Sequence, residues 1–335
     1  MGFSFTSTNL SDKFPGLYFV KNRAQAFYFN KSLWTQLESI IIFMKAFSKF
    51  NHRNGDFGMS FYSEQQEAMI DSNTPGAQLH TLTNLAATPQ ANVIIVHGLA
   101  EYAGRFDPIA SYLVQHDCNV FRYDQLGHGK SGGKRGFMKA PDDLSENLKQ
   151  VVDRVKANYP NLPTFVIGHS MGGETVLLYG VEYPQTVDGL IVTDPVSLSE
   201  NTSNLSFPLE GGAETEIPNA ISGGLDCDQR VVDKYINNDQ VLHTLTIGIM
   251  NNVLWQGSLF LRDHIQKITD PILYLQGLED GLISYKDSLT AYAQISSKDK
   301  ELHVYPFLMH EILNETSRKW EIYDEILRWI NQRRY

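Results

Sequence analysis

Along most of this chain, short runs of continuous apolar residues alternate with longer stretches in which apolar residues recur at helical spacing. Residues 92–96, Asn-Val-Ile-Ile-Val, are a β-branched run of the kind buried on both faces of a sheet. Phe106, Ile109, Ala110, Leu113 and Val114 then follow the three-and-four step of a helix. Residues 119–123 read as a strand, and 142–159 as an amphipathic helix through Leu144, Leu148, Val151, Val152 and Val155. Strand 164–167, helix 171–180 and strand 190–192 continue the rhythm. It breaks at Asp194-Pro195 and resumes with strand 272–275, helix 284–295, strand 302–305 and helix 317–330. Such alternation predicts an α/β fold, a mostly parallel central sheet with helices on both faces.

Two segments stand outside the rhythm. Residues 197–265 are at first rich in Ser, Asn and Gly, then helical at 230–235 and 242–254, and read as an inserted helical cap. Residues 1–56 read as a partly helical extension. Within it, residues 31–50 place Leu33, Trp34, Leu37, Ile40, Ile41, Met44 and Phe47 on one stripe. That helix either packs on the rest of the protein or lies on a membrane surface, with Lys31, Lys45 and Lys49 near the headgroups. The expected organisation is an extension (1–56), a first core part (57–196), the cap (197–265) and a second core part (266–335).

Composition narrows the partners. With 28 Lys plus Arg against 38 Asp plus Glu and no basic run, the chain is not built for a phosphate backbone, so no nucleic acid is expected. Cys118 and Cys227 fit neither a disulfide framework nor a zinc spacing, and read as thiols in a reducing compartment. The start of the chain lacks a basic segment followed by a long apolar run, so no secretory signal is expected. The aliphatic-aromatic run at 40–44 falls far short of the ~20 residues that span a bilayer. Gly2 with Thr6 matches a loose acylation pattern, against which the bulky Phe3 weighs. A cytoplasmic location is expected, with peripheral membrane contact left open.

The chemistry centres on Gly168-His-Ser-Met-Gly172, which fits G-x-S-x-G between a strand and a helix. A serine at the tip of so tight a turn needs a strained backbone, and the flanking glycines remove side chains that would clash. A serine hydroxyl needs a base, and the base an orienting acid. In this arrangement the acid and then the histidine follow the serine along the chain. Of the downstream histidines, His243 and His264 fall in the insertion and His303 inside a strand; His310 follows a strand by a short loop. Asp280, in the loop after strand 272–275, is the favoured acid, with Glu279 and Asp194 as rivals. The Met171 amide and the Leu99 amide, in the loop after residue 96, are expected to receive the oxyanion, while His97 braces that loop. Residues 127–132 also fit G-x-G-x-x-G, but Gly133, Gly136 and Pro141 deny the helix a dinucleotide site requires. His310-Glu311 has no second histidine at zinc spacing, and no metal or organic cofactor is implied.

Taken together, residues 97–106, 124–131, 133–137, 168–173, 276–280 and 310–315 resemble the α/β-hydrolase fold, and within it the monoacylglycerol lipase and lysophospholipase group of serine hydrolases. Residues 227–235 and 241–243 resemble that group's cap. The resemblance implies Ser170 as nucleophile, Asp280 as acid, His310 as base, and Leu99 and Met171 as oxyanion donors. It implies hydrolysis of a single-chain lipid ester, a lysophospholipid or a monoacylglycerol, through an acyl-enzyme. Another acyl substrate (small carboxylester, thioester or peptide N-terminus) and a non-catalytic binding module are the alternatives. Tyr102 stands where the group usually has His, and Leu99-Ala100 replaces a more Gly-rich pair, which would narrow the acyl pocket.

Overall fold

The computed structural model describes residues 65–200 and 206–334. The helix expected over residues 31–50, and the extension that holds it, lie outside them. The described strands in chain order are β1 (Gln66–Asp71), β2 (Gln78–Asn84), β3 (Ala91–Val96), β4 (Cys118–Tyr123), β5 (Thr164–His169), β6 (Gly189–Thr193), β7 (Glu216–Pro218), β8 (Thr244–Thr246), β9 (Ile272–Gly277) and β10 (Lys300–Tyr305). Eight of them form one sheet in the order β1-β2-β4-β3-β5-β6-β9-β10. Only β1–β2 and β2–β4 pair antiparallel; from β4 to β10 the sheet is parallel.

Burial explains why some strands are plain in the sequence. β3, β5, β6 and β9 are buried at every position, so both faces favour apolar residues and the runs are nearly continuous; β4 is as buried but carries Asn119 and Arg122. The alternation of side chains sorts them between two cores. Ile94, Val96, Val166 and Val192 meet helices α2 (Asp142–Asn158) and α3 (Met171–Glu182) through Leu148, Val152 and Val176. Val93, Ile95, Ile167 and Ile191 face the other way, onto Ile109, Leu113, Ile326 and Trp329. These last four belong to helices α1 (Asp107–Gln115) and α4 (Lys319–Asn331).

The segment between β6 and β9 departs from the expectation of an uninterrupted helix over 242–254. Thr244–Thr246 is a strand paired with Glu216–Pro218, and the helix starts only at Ile247. Thr246 explains the break. Its hydroxyl accepts the Ile249 amide as an N-cap and donates to the Gly136 carbonyl at 2.7 Å, anchoring the insertion to the loop after β4. The helix then widens into a π-turn over Asn252–Gly257 before Ser258–His264.

Because the sheet is parallel, the C-terminal ends of β3, β5, β6, β9 and β10 lie along one edge. In register, Val96 stands beside Gly168, Gly168 beside Val192, and Gly277 beside Tyr305. In open α/β sheets ligands bind outside this edge.

Candidate active site

Ser170 follows β5 directly and opens helix α3 with φ 55° and ψ −119°, a left-handed conformation that a serine adopts only when its surroundings impose it. Those surroundings are backbone atoms. A Cβ on Gly168 would lie 2.1 Å from the Gly172 carbonyl oxygen, and one on Gly172 would lie 2.2 Å from that of Val96. Strand, turn and neighbouring strand are therefore pressed together more closely than any side chain permits. The Ser170 amide donates to Thr193, and its carbonyl accepts from Glu174 and Val196, at 3.0–3.1 Å.

His310 lies in the loop after β10, almost fully buried, with Nδ1 2.8 Å from Asp280 Oδ2. Asp280 in turn is held from every side. Its Oδ1 accepts the Leu282 and Ile283 amides at 2.8 and 2.9 Å, and its Oδ2 accepts Gln276 Nε2 at 3.1 Å. An acceptor so filled fixes the His310 proton on Nδ1 and leaves Nε2 as the basic nitrogen. Burial alone would depress the His310 pKa. The charge and hydrogen bond of Asp280 outweigh it, so the pKa sits above the ordinary histidine value. His169, beside the serine, has its pKa pushed down to about 3 by burial and by His310, and so stays neutral.

The loop after β3 is braced as well. His97 Nε2 accepts the Gln125 amide at 2.9 Å, and its Nδ1 is 2.8 Å from the Gly98 carbonyl, so His97 is spent on the loop. Glu101 takes the Gly98 amide at 2.9 Å. Arg105 pairs with both Glu101 and Glu311 and thereby ties this loop to the one carrying His310. Burial opposes the Arg105 charge, but the two carboxylates outweigh it and raise its pKa. Among the described residues, no carbonyl takes up the amides of Leu99 or Met171.

Leu99, Ser170 and His310 all line one cavity of about 500 Å³. That is within the ordinary range for a small-molecule site. Much of its wall is apolar and comes from the insertion, including Leu209, Leu245, Met250 and Leu254. Leu242, Ile247 and Ile249 of the same segment are buried away from this wall, and Trp255 is half-buried outside it. The structure thus brings Ser170, Asp280 and His310 to one sheet edge, with Leu99 on the cavity wall and the Met171 amide next to the serine. Asp194 lies at the same edge. The ligand-type atoms of Asp194, Asp280 and His310 come within 4.8 Å of one another. Glu279 turns no bond toward His310; its amide donates to Leu308. No local pattern in the sequence announces Gln276, Arg105 and Glu174, because burial and distant partners give them their roles. The glycines of residues 127–132 belong to a turn around Asp124, whose carboxylate accepts the Ala103 and Lys130 amides at 2.7 Å.

A parallel sheet whose central strand ends in a strained serine turn, beside a histidine–aspartate pair from the last two strands, defines an α/β-hydrolase. The chain belongs to the family described as Serine aminopeptidase, S33, which it matches over residues 87–317. It is 31% identical over 249 residues to a monoacylglycerol lipase of Mycolicibacterium smegmatis, covering 72% of this chain and 88% of that one. It is 29% identical over 257 residues to the human monoglyceride lipase, covering 73% and 84%. A soluble variant of a Saccharomyces cerevisiae monoglyceride lipase, solved with a substrate analog, superposes with a TM-score of 0.71 at 18% identity, over 84% of this chain and 99% of that one. The last likeness bears on the fold.

Proposed function

We propose that this hydrolase cleaves the carboxylic ester of a single-chain lipid, a monoacylglycerol in the first instance, through an acyl-enzyme on Ser170. The observation that carries the reading is the juxtaposition of Ser170 and the Asp280-held His310 on the wall of one largely apolar cavity. His310 Nε2 takes the proton of the Ser170 hydroxyl as Oγ attacks the ester carbonyl. The oxyanion that forms faces the Leu99 and Met171 amides. His310 then protonates the leaving alcohol and activates the water that releases the fatty acid, while Asp280 keeps Nδ1–H in place. Residues 197–265 serve as a cap whose apolar side chains receive the acyl chain. The monoacylglycerol lipases among the relatives support the substrate class.

Two measurements test this. A fluorophosphonate probe should label the folded protein and fail on Ser170→Ala. In a series of p-nitrophenyl esters and monoacylglycerols, kcat/KM should rise from acetate toward medium and long chains. Activity confined to acetate and butyrate would reject the lipid reading, and no labelling would reject catalysis. Because the base must be neutral, kcat/KM should fall as the pH drops through the raised pKa of His310.

A further inference from the structure

We propose that Asp194 is a reserve positioning residue for His310, called on only when residue 280 carries no charge: its carboxyl shares a single negative charge with that of Asp280, so that removing charge from Asp280 leaves an acid in place to hold the imidazole. This rests on the reading of Ser170, His310 and Asp280 as the reacting set.

The geometry begins at the end of β6. Asp194 has φ 45°, a left-handed conformation, and its amide donates to the Leu275 carbonyl of the adjacent strand at 2.9 Å. The turn swings the side chain inward, where it is fully buried. Oδ1 is well supplied. It accepts the Gly277 amide at 2.7 Å and Gln276 Nε2 at 3.0 Å. Oδ2 is buried with no partner. An ionised carboxylate does not tolerate a bare oxygen in the interior. A proton on Oδ2 turns that oxygen from a stranded acceptor into a donor. The acceptor within reach is Asp280, whose carboxylate lies in the same 4.8 Å cluster.

Gln276 makes the two carboxyls one unit. Its Nε2 donates to Asp194 Oδ1 and to Asp280 Oδ2, and its Oε1 accepts from Ser288 at 2.6 Å, which fixes the orientation of the amide. Two carboxylates sharing one buried site do not both ionise. Burial and the charge of Asp280 hold the proton on Asp194, whose pKa lies well above the ordinary aspartate value. The charged and titratable groups facing the pair are Asp280 from the loop after β9, and His310 and Glu311 from the loop after β10. When residue 280 is neutral, the reason for Asp194 to keep its proton weakens. The proton leaves to solvent, and the charge moves to Asp194 beside His310.

The test is a double-substitution cycle read as kcat, KM and the rate of fluorophosphonate labelling. Asp280→Asn should cost about 100-fold in kcat, and Asp280→Asn with Asp194→Asn about 10,000-fold, the loss expected when the histidine has no acid at all. Asp194→Asn alone should cost less than about threefold, with KM unchanged, because Asp280 keeps the charge. The acid limb of the pH profile should stay near the wild-type position in Asp280→Asn and move to lower pH in the double variant. Asp194→Ser, which keeps a hydroxyl donor but carries no charge, serves as a second variant and should match Asp194→Asn; circular dichroism confirms folding. Equal fold-losses from Asp194→Asn in both backgrounds would overturn the proposal and leave the triad standing. Labelling that does not depend on His310, checked with His310→Ala, would overturn the triad and this proposal with it.

Discussion

The sheet edge that carries Ser170, Asp280 and His310 and the insertion that walls the cavity follow opposite rules. At the edge the Asp280 carboxylate and the His310 imidazole are held by named partners, and the spacing is set by backbone pressed on backbone at Gly168 and Gly172. In the insertion the elements are three to eight residues long, and the wall is made of aliphatic side chains that contribute volume more than direction. The difference separates two tasks. Bond-making chemistry needs atoms held to fractions of an ångström, whereas acyl-chain binding needs only apolar volume of suitable length. Substitutions at the edge should therefore abolish the reaction, and substitutions in the wall should redistribute it among substrates.

The sharpest break of that contrast lies in His310, the proposed base. His310→Ala should lower kcat by about 10,000-fold or more for every ester tested, short or long, since no neighbouring group replaces it. His169, beside it, stays neutral but has Nδ1 3.1 Å from Thr193 Oγ1, so it belongs to the scaffold. A wall-like response, in which the loss depends on chain length, would erase the distinction drawn here. Next comes the elbow. Gly172→Ala puts a methyl 2.2 Å from the Val96 carbonyl oxygen, where neither partner is a flexible side chain. It should cost about 3 kcal/mol or more in urea unfolding and remove activity with it. In the wall, Leu254→Trp adds bulk to a half-buried lining position. Long-chain esters should lose about 10- to 100-fold in kcat/KM while p-nitrophenyl acetate keeps its rate. A uniform loss across the series would place Leu254 with the chemistry.

The same contrast governs what could be read from the residues. β3, β5, β6 and β9 were plain because burial on both faces leaves only apolar choices. β1 has a single buried residue, Ile70, and β2 alternates, so neither shows a continuous run. β7 and β8 are three residues each, and Thr244-Leu-Thr246 hides inside a stretch whose apolar spacing looks helical. At the site, Ser170, Asp280 and His310 came from motif and chain order, because each follows a strand and parallel strands share an end. Asp194 qualified by the same argument, and geometry alone separates the two: Asp280 bonds to His310 directly, Asp194 to Gln276 and Gly277. Gln276, Arg105 and Glu174 also meet Ser288, Glu311 and Gly257, which lie 12, 206 and 83 positions away, and no local pattern announces that.

Glu174 gives the finest test, because it belongs to the edge and touches the insertion. It sits in the first turn of the helix opened by Ser170, with its amide 3.0 Å from the Ser170 carbonyl. Its carboxyl is fully buried, and neither oxygen has a partner among the described residues. A Cβ on Gly257, at the end of the π-turn, would lie 2.2 Å from Oε1, so the carboxyl presses against the insertion's backbone. Burial alone raises its pKa well above the ordinary glutamate value, and the folded protein holds it neutral. The sign follows from linkage. The unfolded chain releases this proton at the ordinary value, so the group's contribution to stability is complete below that pH and is lost as pH rises toward the folded pKa. Glu174→Gln keeps the shape and has no proton to lose. Measured by urea unfolding at pH 5, 6.5 and 8, the variant should gain on the wild type as pH rises, by at most about 1.4 kcal/mol per pH unit. A difference that stays flat with pH would mean that Glu174 is ionised in the folded protein and has found a cation. The helix opened by Ser170 would then be joined to the insertion by charge, and the two regions would not be as separable as their architecture implies.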